Sequence, residues 1–311
     1  MHGSRYLEMA RQDYPRHGPG TCSYSCTCDP AAQRIQHSSS DSWGPALGHI
    51  WVQHLRKLHL EPDSTLVEIG PGFSAKIGFG LAELGFCGAL FLVEPNGSAR
   101  RWAQREYQRL LPAAQVRTSH RAVSDADLPT EGPVDAIIAN HVLDDLLMSY
   151  FISAPENDRI FGHMRPGVGC PEKFSEIWRE ILGASRVLHE LVDRVVEDVV
   201  HYIDVVQSDR LILNEYLSWH HRCCGLGRIH RVSLWTLGRL KQRLMATGQF
   251  STQLFWDSTE AMQWLVAERL TMDSDNFSSK IIGSRCRRRS LRIASREIQL
   301  WHRTRAEHAL S

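Results

Sequence analysis

The sequence predicts an α/β protein with a doubly wound, mostly parallel seven-stranded sheet, an antiparallel last strand and a helical lid or insertion. Three observations point there. The apolar run Leu66-Val67-Glu68-Ile69 opens into Gly70-Pro71-Gly72, and after a helix-like stretch a second apolar run, Phe91-Leu92-Val93, ends in Glu94. Strand-like and helix-like patterns then alternate to about residue 218. Two short strand-like runs, about 249–256 and 262–268, close the pattern as a hairpin.

Taken in order, residues 45–59 read as a helix: Leu47, Ile50, Trp51, His54, Leu55 and Leu58 share one face, and Pro45 suits a first turn. A helix over about 74–84 joins the first two strands, and another over about 98–111 follows the second. Val116 to Val123 reads as strand three, and Val134 to Asn140 as strand four. Phe174, Ile177, Ile181, Leu188, Leu191, Val195, Val199, Tyr202 and Val206 then recur at three- and four-residue steps, with Glu190, Asp193, Arg194, Glu197 and Asp198 on the other face. That is an amphipathic helical insertion. Arg210 to Ser218 reads as strand five, and Ser233 to Thr247 as a helix ending at Gly248. The organisation expected is an N-terminal segment over 1–45 that could act as a lid, a nucleotide-binding half over 46–150, the insertion over 151–206, the second half of the sheet over 207–270 and a basic extension over 271–311.

The glycine turn carries the first chemical information. Gly70 and Gly72 allow a sharp turn at a strand end and leave the main chain open to a ligand. The following helix directs its N-terminus at that ligand, which favours a negative group. A carboxylate at Glu94 can accept both hydroxyl protons of a ribose. Strand, glycine loop, helix, strand and acid form the first half of a nucleotide-binding βαβ unit. The loop alone also fits G-x-G-x-x-A, so a dinucleotide remains open at this point.

Further segments make the chain resemble the class I (seven-stranded, Rossmann-like) S-adenosylmethionine-dependent methyltransferases. The motifs are Glu68-Ile69-Gly70-Pro71-Gly72, the acid Glu94, a loose third match over Val123-Ser124-Asp125-Ala126-Asp127-Leu128-Pro129, and Val134-Asp135-Ala136-Ile137-Ile138-Ala139-Asn140-His141. The resemblance covers about 46–150 well and 207–270 moderately. It implies S-adenosyl-L-methionine as cofactor, held by Glu68, Gly70, Gly72, Phe73, Ser74, Glu94, Asn96, Val123, Ser124 and Asn140. It also implies that the insertion walls the substrate pocket or forms a dimer contact.

The cofactor sets the chemistry. A sulfonium is already electrophilic at carbon, so the enzyme mainly aligns a nucleophile, excludes water and, for an N–H or O–H nucleophile, accepts a proton. Ligands of an open α/β sheet lie at the strands' carboxyl ends. That places Asn140, His141, Asp144 and Asp145 near the reacting centre, with Trp219, His220 and His221 approaching from strand five. The catalytic candidates are Asn140, His141, Asp144 and His220, with His141 as the best base and Asp144 and Asp145 also suited to capping the next helix.

Composition fits an enzyme: 311 residues, 42% hydrophobic, 23% charged and a net charge of +1. The near-neutral charge argues against a protein whose main partner is a nucleic acid, and no apolar run suggests a membrane span. A cytoplasmic protein, with a homodimer possible, is expected. Cys22, Cys26 and Cys28, spaced C-x3-C-x-C, and Cys223-Cys224 beside His220-His221 lack a standard zinc arrangement, so no metal is expected. Arg285, Arg287, Arg288, Arg289 and Arg292 give the C-terminal segment its basic character. No Asn/Asp-Pro-Pro-aromatic segment follows strand four and no Pro-Cys stands where a cytosine C5 enzyme carries it. The leading expectation is therefore a methyltransferase acting on a small metabolite, in specialised (natural-product) biosynthesis. One alternative uses the aminobutyryl arm of the same sulfonium, by transfer or ring closure, and releases methylthioadenosine. Another is an NAD-dependent oxidoreductase or a non-catalytic nucleotide-binding protein.

Overall fold

The computed structural model describes residues 43–72, 75–120, 123, 132–152, 172–216, 229–256 and 262–270. The chain divides into two compact units, Met1–Arg269 and Leu270–Ser311, and every described helix and strand belongs to the first. In chain order these are α1 (Trp43–Lys57), β1 (Thr65–Ile69), α2 (Lys76–Leu84), β2 (Ala89–Val93), α3 (Gly97–Leu110), β3 (Gln115–Ser119), β4 (Ala136–Asn140), α4 (Leu143–Phe151), α5 (Glu172–Gly183), α6 (Ser185–Val205), β5 (Arg210–Tyr216), α7 (Ile229–Thr247), β6 (Phe250–Trp256) and β7 (Met262–Arg269).

The seven strands form one sheet in the order β3-β2-β1-β4-β5-β7-β6. β1 to β5 pair in parallel, while β7 runs antiparallel to both β5 and β6. The doubly wound, mostly parallel seven-stranded sheet with an antiparallel last strand is thus present. Strand order reverses between β1 and β4, whose register places Ile69 beside Ala139. The crevice at such a reversal, beyond the carboxyl ends of the strands, is where open α/β sheets bind ligands.

Alternation along each strand divides the core between two faces. Leu66, Leu90, Leu92, Ala136, Ile138 and Ile212 pack under Trp51 and Leu55 of α1, Ile77 and Leu81 of α2 and Tyr107 of α3. Val67, Ile69, Ile137, Ala139, Leu211 and Leu213 pack under Leu147 of α4, Trp178 of α5, Val195 and Val199 of α6 and Leu240 of α7. Both faces are covered, which explains why β1, β2 and β4 read as continuous apolar runs rather than alternating ones.

The structure refines several boundaries. The described part of the insertion forms two helices, because the helical run breaks at Ala184 between Gly183 and Ser185. The heptad-like apolar spacing continues across the break and conceals it from the sequence. β3 ends at Ser119, and Val123 sits beyond it as a buried turn residue. α7 begins at Ile229, a turn earlier than Ser233. Exposed ion pairs from Arg239 to Asp193 and from Arg243 to Glu197 join α7 to α6 and add little beyond the apolar contact beneath them.

The approach of α1 to α2 is made possible by two glycines. A Cβ on Gly80 would lie 2.5 Å from the Gly48 carbonyl oxygen, and one on Gly48 would lie 2.6 Å from the Gly80 nitrogen. Both obstacles are backbone, so relief requires the helices to separate. Gly80→Ala is expected to destabilise the protein by about 1–3 kcal/mol through overpacking. Urea unfolding checks this, and an unchanged midpoint would mean that the helices are not held at this distance.

Candidate active site

Three strand ends and their turns build the site. At the end of β1, Gly70 (φ 63) and Gly72 (φ 58) are both left-handed, a region that glycine enters without steric cost. The Gly70 N–H donates to the Val93 carbonyl at 2.9 Å, which ties the loop to β2. At the end of β2, Glu94 Oε2 accepts from the Gly72 N–H at 3.1 Å and Oε1 accepts from the Asn96 N–H at 2.9 Å. Glu94 therefore shapes the glycine loop from within. A carboxylate has about four lone-pair sites, so two bonds leave capacity for ligand hydroxyls. Burial raises its pKa to about 7, against the two backbone donors and Arg100, which pull the other way.

Asn96, read from the sequence as a cofactor contact, is the N-cap of α3. Its Oδ1 accepts from the Ser98 and Ala99 N–H groups, each at 3.0 Å. Glu68 sits in mid-strand on the α1–α3 face, only 2% exposed. Burial raises its pKa to about 8, while the Tyr107 hydroxyl opposes the shift and Glu94 adds to it. Near neutral pH Glu68 is consequently mostly protonated.

At the end of β4, Asn140 Oδ1 accepts from Trp51 Nε1 at 3.1 Å. Trp51 belongs to the apolar face of α1 and packs edge-on to Trp264 of β7 at 4.8 Å. Sequence reading placed Trp51 in the core; the missed signal was that a buried indole N–H needs an acceptor.

His141 follows with φ 54, a left-handed conformation costly for a residue with a Cβ. Its N–H donates to the Asn214 carbonyl at 2.8 Å. Its Nδ1 lies 2.8 Å from Glu215 Oε2, and its Nε2 lies 3.9 Å from Asp144 Oδ2. The other oxygen of Glu215 accepts from the Val142 and Leu143 N–H groups at 3.0 and 2.8 Å. His141, Asp144 and Glu215 are all buried. Burial by itself lowers the His141 pKa, but Asp144 and Glu215 outweigh it and hold the ring protonated, with Lys76 acting in the opposite sense. Burial raises Asp144, and His141 restrains the rise.

Glu215 is the residue that sequence reading missed. It was visible only as a polar position in strand five, and its partners come from β4 and α4. Asp144 and Asp145 lie in the first turn of α4, where Glu215 takes the Val142 and Leu143 N–H groups and the Asp144 carboxylate accepts from the main chain at Asp144 and Asp145. His141, Asp144 and Glu215 offer one ligand atom each within 4.8 Å of one another. Glu215 already accepts three hydrogen bonds, and we assign no ion to the cluster.

The structure thus brings Gly70, Gly72 and Glu94 together at one side of the strand reversal, and Asn140, His141 and Asp144 at the other. Val123 is buried beyond β3. Phe73, Ser74, Ser124, His220, Trp219 and His221 lie outside the described residues, as do Cys22, Cys26, Cys28, Cys223, Cys224 and the basic C-terminal segment. Among the described residues, no helix is long and apolar enough to cross a membrane.

The strand order, with β7 reversed, is that of the class I S-adenosylmethionine-dependent methyltransferases, so the chain has the fold that its motifs imply. No protein-family model and no curated sequence matches it. Solved structures do. A SAM-dependent methyltransferase from Aquifex aeolicus is similar at 11% identity and TM-score 0.43, over 78% of this chain and all of that one (100%). An rRNA methylase from Streptococcus thermophilus is similar at 13% identity and TM-score 0.37, over 72% and 94%. A ribosomal protein L11 methylase from Lactobacillus delbrueckii subsp. bulgaricus is similar at 12% identity and TM-score 0.35, over 73% and 78%. At such identities the likeness concerns the fold alone. It corrects one expectation: since an rRNA methylase is among these structures, the near-neutral charge does not argue against a nucleic acid partner. Net charge sums the whole chain and is blind to local distribution.

Glu68 makes the site's acidity measurable. Folding raises it from the usual 4.5 to about 8, so between those pH values Glu68 holds more proton in the folded chain than in the unfolded one. The contribution of Glu68 to stability must then fall as pH rises through that window. Glu68→Gln should flatten the slope, with the variant gaining most relative to wild type near pH 8. Urea unfolding from pH 4.5 to 8 tests this, and parallel pH profiles for the two proteins would show that Glu68 is not held protonated.

Proposed function

We propose that this protein is an S-adenosylmethionine-dependent methyltransferase. One observation carries the reading: two left-handed glycines at the end of β1, tied by the Gly72 N–H to Glu94 at the end of β2, beside the strand reversal. The donor set fits the cofactor. Backbone at Gly70 and Gly72 is open to close approach, and the Glu94 carboxylate retains acceptor capacity for ribose hydroxyls. S-adenosylmethionine supplies, when bound, an electrophilic methyl carbon on a sulfonium.

The remaining work falls to this chain's own groups. Glu94 and the glycine loop would bind and orient the nucleoside end. Asn140, fixed by Trp51, would present its side-chain amide at the end of β4. His141 is held protonated between two carboxylates, which suits donating a hydrogen bond better than taking a proton. Asp144, across from His141 Nε2, is the alternative proton acceptor.

We read the acceptor as a small metabolite. The support is the segment Asn140-His141-Val142-Leu143, which lacks the Pro-Pro-aromatic run of the enzymes that methylate amino groups of DNA and of protein glutamine. Incubating the protein with methyl-labelled S-adenosylmethionine and separated small-molecule and RNA fractions tests this. Label in the RNA fraction alone would replace the metabolite by RNA. Methylthioadenosine in place of S-adenosylhomocysteine as product would indicate use of the aminobutyryl arm.

Binding can be tested without an acceptor. Calorimetry should show S-adenosylhomocysteine binding, and Glu94→Ala should weaken it by roughly 1–3 kcal/mol through lost hydrogen bonds. Tight NAD binding with none of S-adenosylhomocysteine would overturn the methyltransferase reading.

A further inference from the structure

Glu215 lies on β5, one strand removed from the glycine loop, yet a continuous set of contacts joins them. Its Oε1 holds the Val142 and Leu143 N–H groups, and Val142 rests on Gly70 so closely that a Cβ there would lie 2.4 Å from Val142 Cγ2. Its Oε2 holds His141 Nδ1 at 2.8 Å. One buried carboxylate thus fastens three consecutive residues of the β4–α4 turn, the first of which is left-handed. Without it, two N–H groups at the start of α4 would lose their acceptor, and the turn would lose the bonds that offset its backbone cost.

We propose that Glu215 is a positioning residue of the site: it presses Val142 onto the cofactor loop through Oε1 and fixes the His141 ring through Oε2. The two oxygens do separable work. A glutamine can keep an oxygen on Val142 and Leu143 while placing an NH2 group at His141, which removes the negative charge that favours the imidazolium. Among the described residues, the charged groups that bear on His141 include Asp144 of α4, Glu215 of β5 and Lys76 of α2. Of these groups, Glu215→Gln would leave Asp144 to favour the ring's proton.

The test uses the full chain with ring-labelled histidine. The His141 resonance is assigned by its loss in His141→Asn, and S-adenosylhomocysteine affinity is measured in parallel. Glu215→Gln is expected to lower the His141 titration midpoint by more than one pH unit while leaving affinity within about threefold of wild type. Glu215→Ala is expected to lower the midpoint similarly and weaken binding at least tenfold. An unmoved His141 midpoint in Glu215→Gln would overturn the proposal even if the alanine variant failed to fold. So would a folded Glu215→Ala with wild-type affinity. The loop half of the proposal rests on the cofactor reading. Absence of binding in the wild-type protein would sink that reading and the loop half, while the ring titration would still decide whether Glu215 controls His141.

Discussion

The contact of Val142 with Gly70 is the constraint on which the rest of the site depends. It joins the carboxyl ends of β1 and β4, the two strands at which the sheet reverses. Sheet pairing aligns these ends through Ile69 and Ala139, but pairing alone does not fix the turns beyond them. Removing the side chain at Gly70 lets the β4–α4 turn close over the loop. The left-handed φ at Gly70 independently excludes most other residues. One position thus serves both turn geometry and close approach.

The turns around this contact are held by carboxylates. Glu94 accepts from the Gly72 and Asn96 N–H groups, and Glu215 from those of Val142 and Leu143. Main-chain donors at strand ends have no ladder partner, and a buried acid satisfies two of them at once. Desolvation is the cost, visible in the raised proton affinities of Glu68, Glu94 and Asp144. At Glu68 no main-chain donor offsets burial, and the group is mostly neutral near pH 7. At the β4–α4 turn Asp144 and Glu215 face His141 and raise its proton affinity. Acids of similar sequence context therefore take different roles according to what faces them.

Much of the architecture was legible in the chain. Both faces of the sheet are covered, so buried strands appear as apolar runs. Glycine at 70, 72, 85 and 248 marks turns, all four being left-handed. The closing hairpin was visible as two strand-like runs with no helix between them, and it forms β6 and β7. The break at Ala184 was not visible, since a single interrupted turn does not disturb apolar spacing. Asn96 was legible as polar and near the site, but only coordinates show its oxygen engaged in capping α3.

The sequence by itself determined the α/β class, the strand–glycine–strand–acid unit and the segment ending in Asn140-His141, because these features rest on local periodicity, turn chemistry and short spacings. Tertiary structure alone decided which groups those residues meet. Trp51 reaches Asn140 across 89 positions, and Glu215 reaches His141 across 74. Partnerships at such separations arise from strand order, which brings α1 and β5 to the end of β4 and leaves no periodic trace in the chain. The same order sets His141, the best base by residue type, between two buried carboxylates that raise its proton affinity, since that affinity depends on the groups that face a ring rather than on its neighbours in sequence.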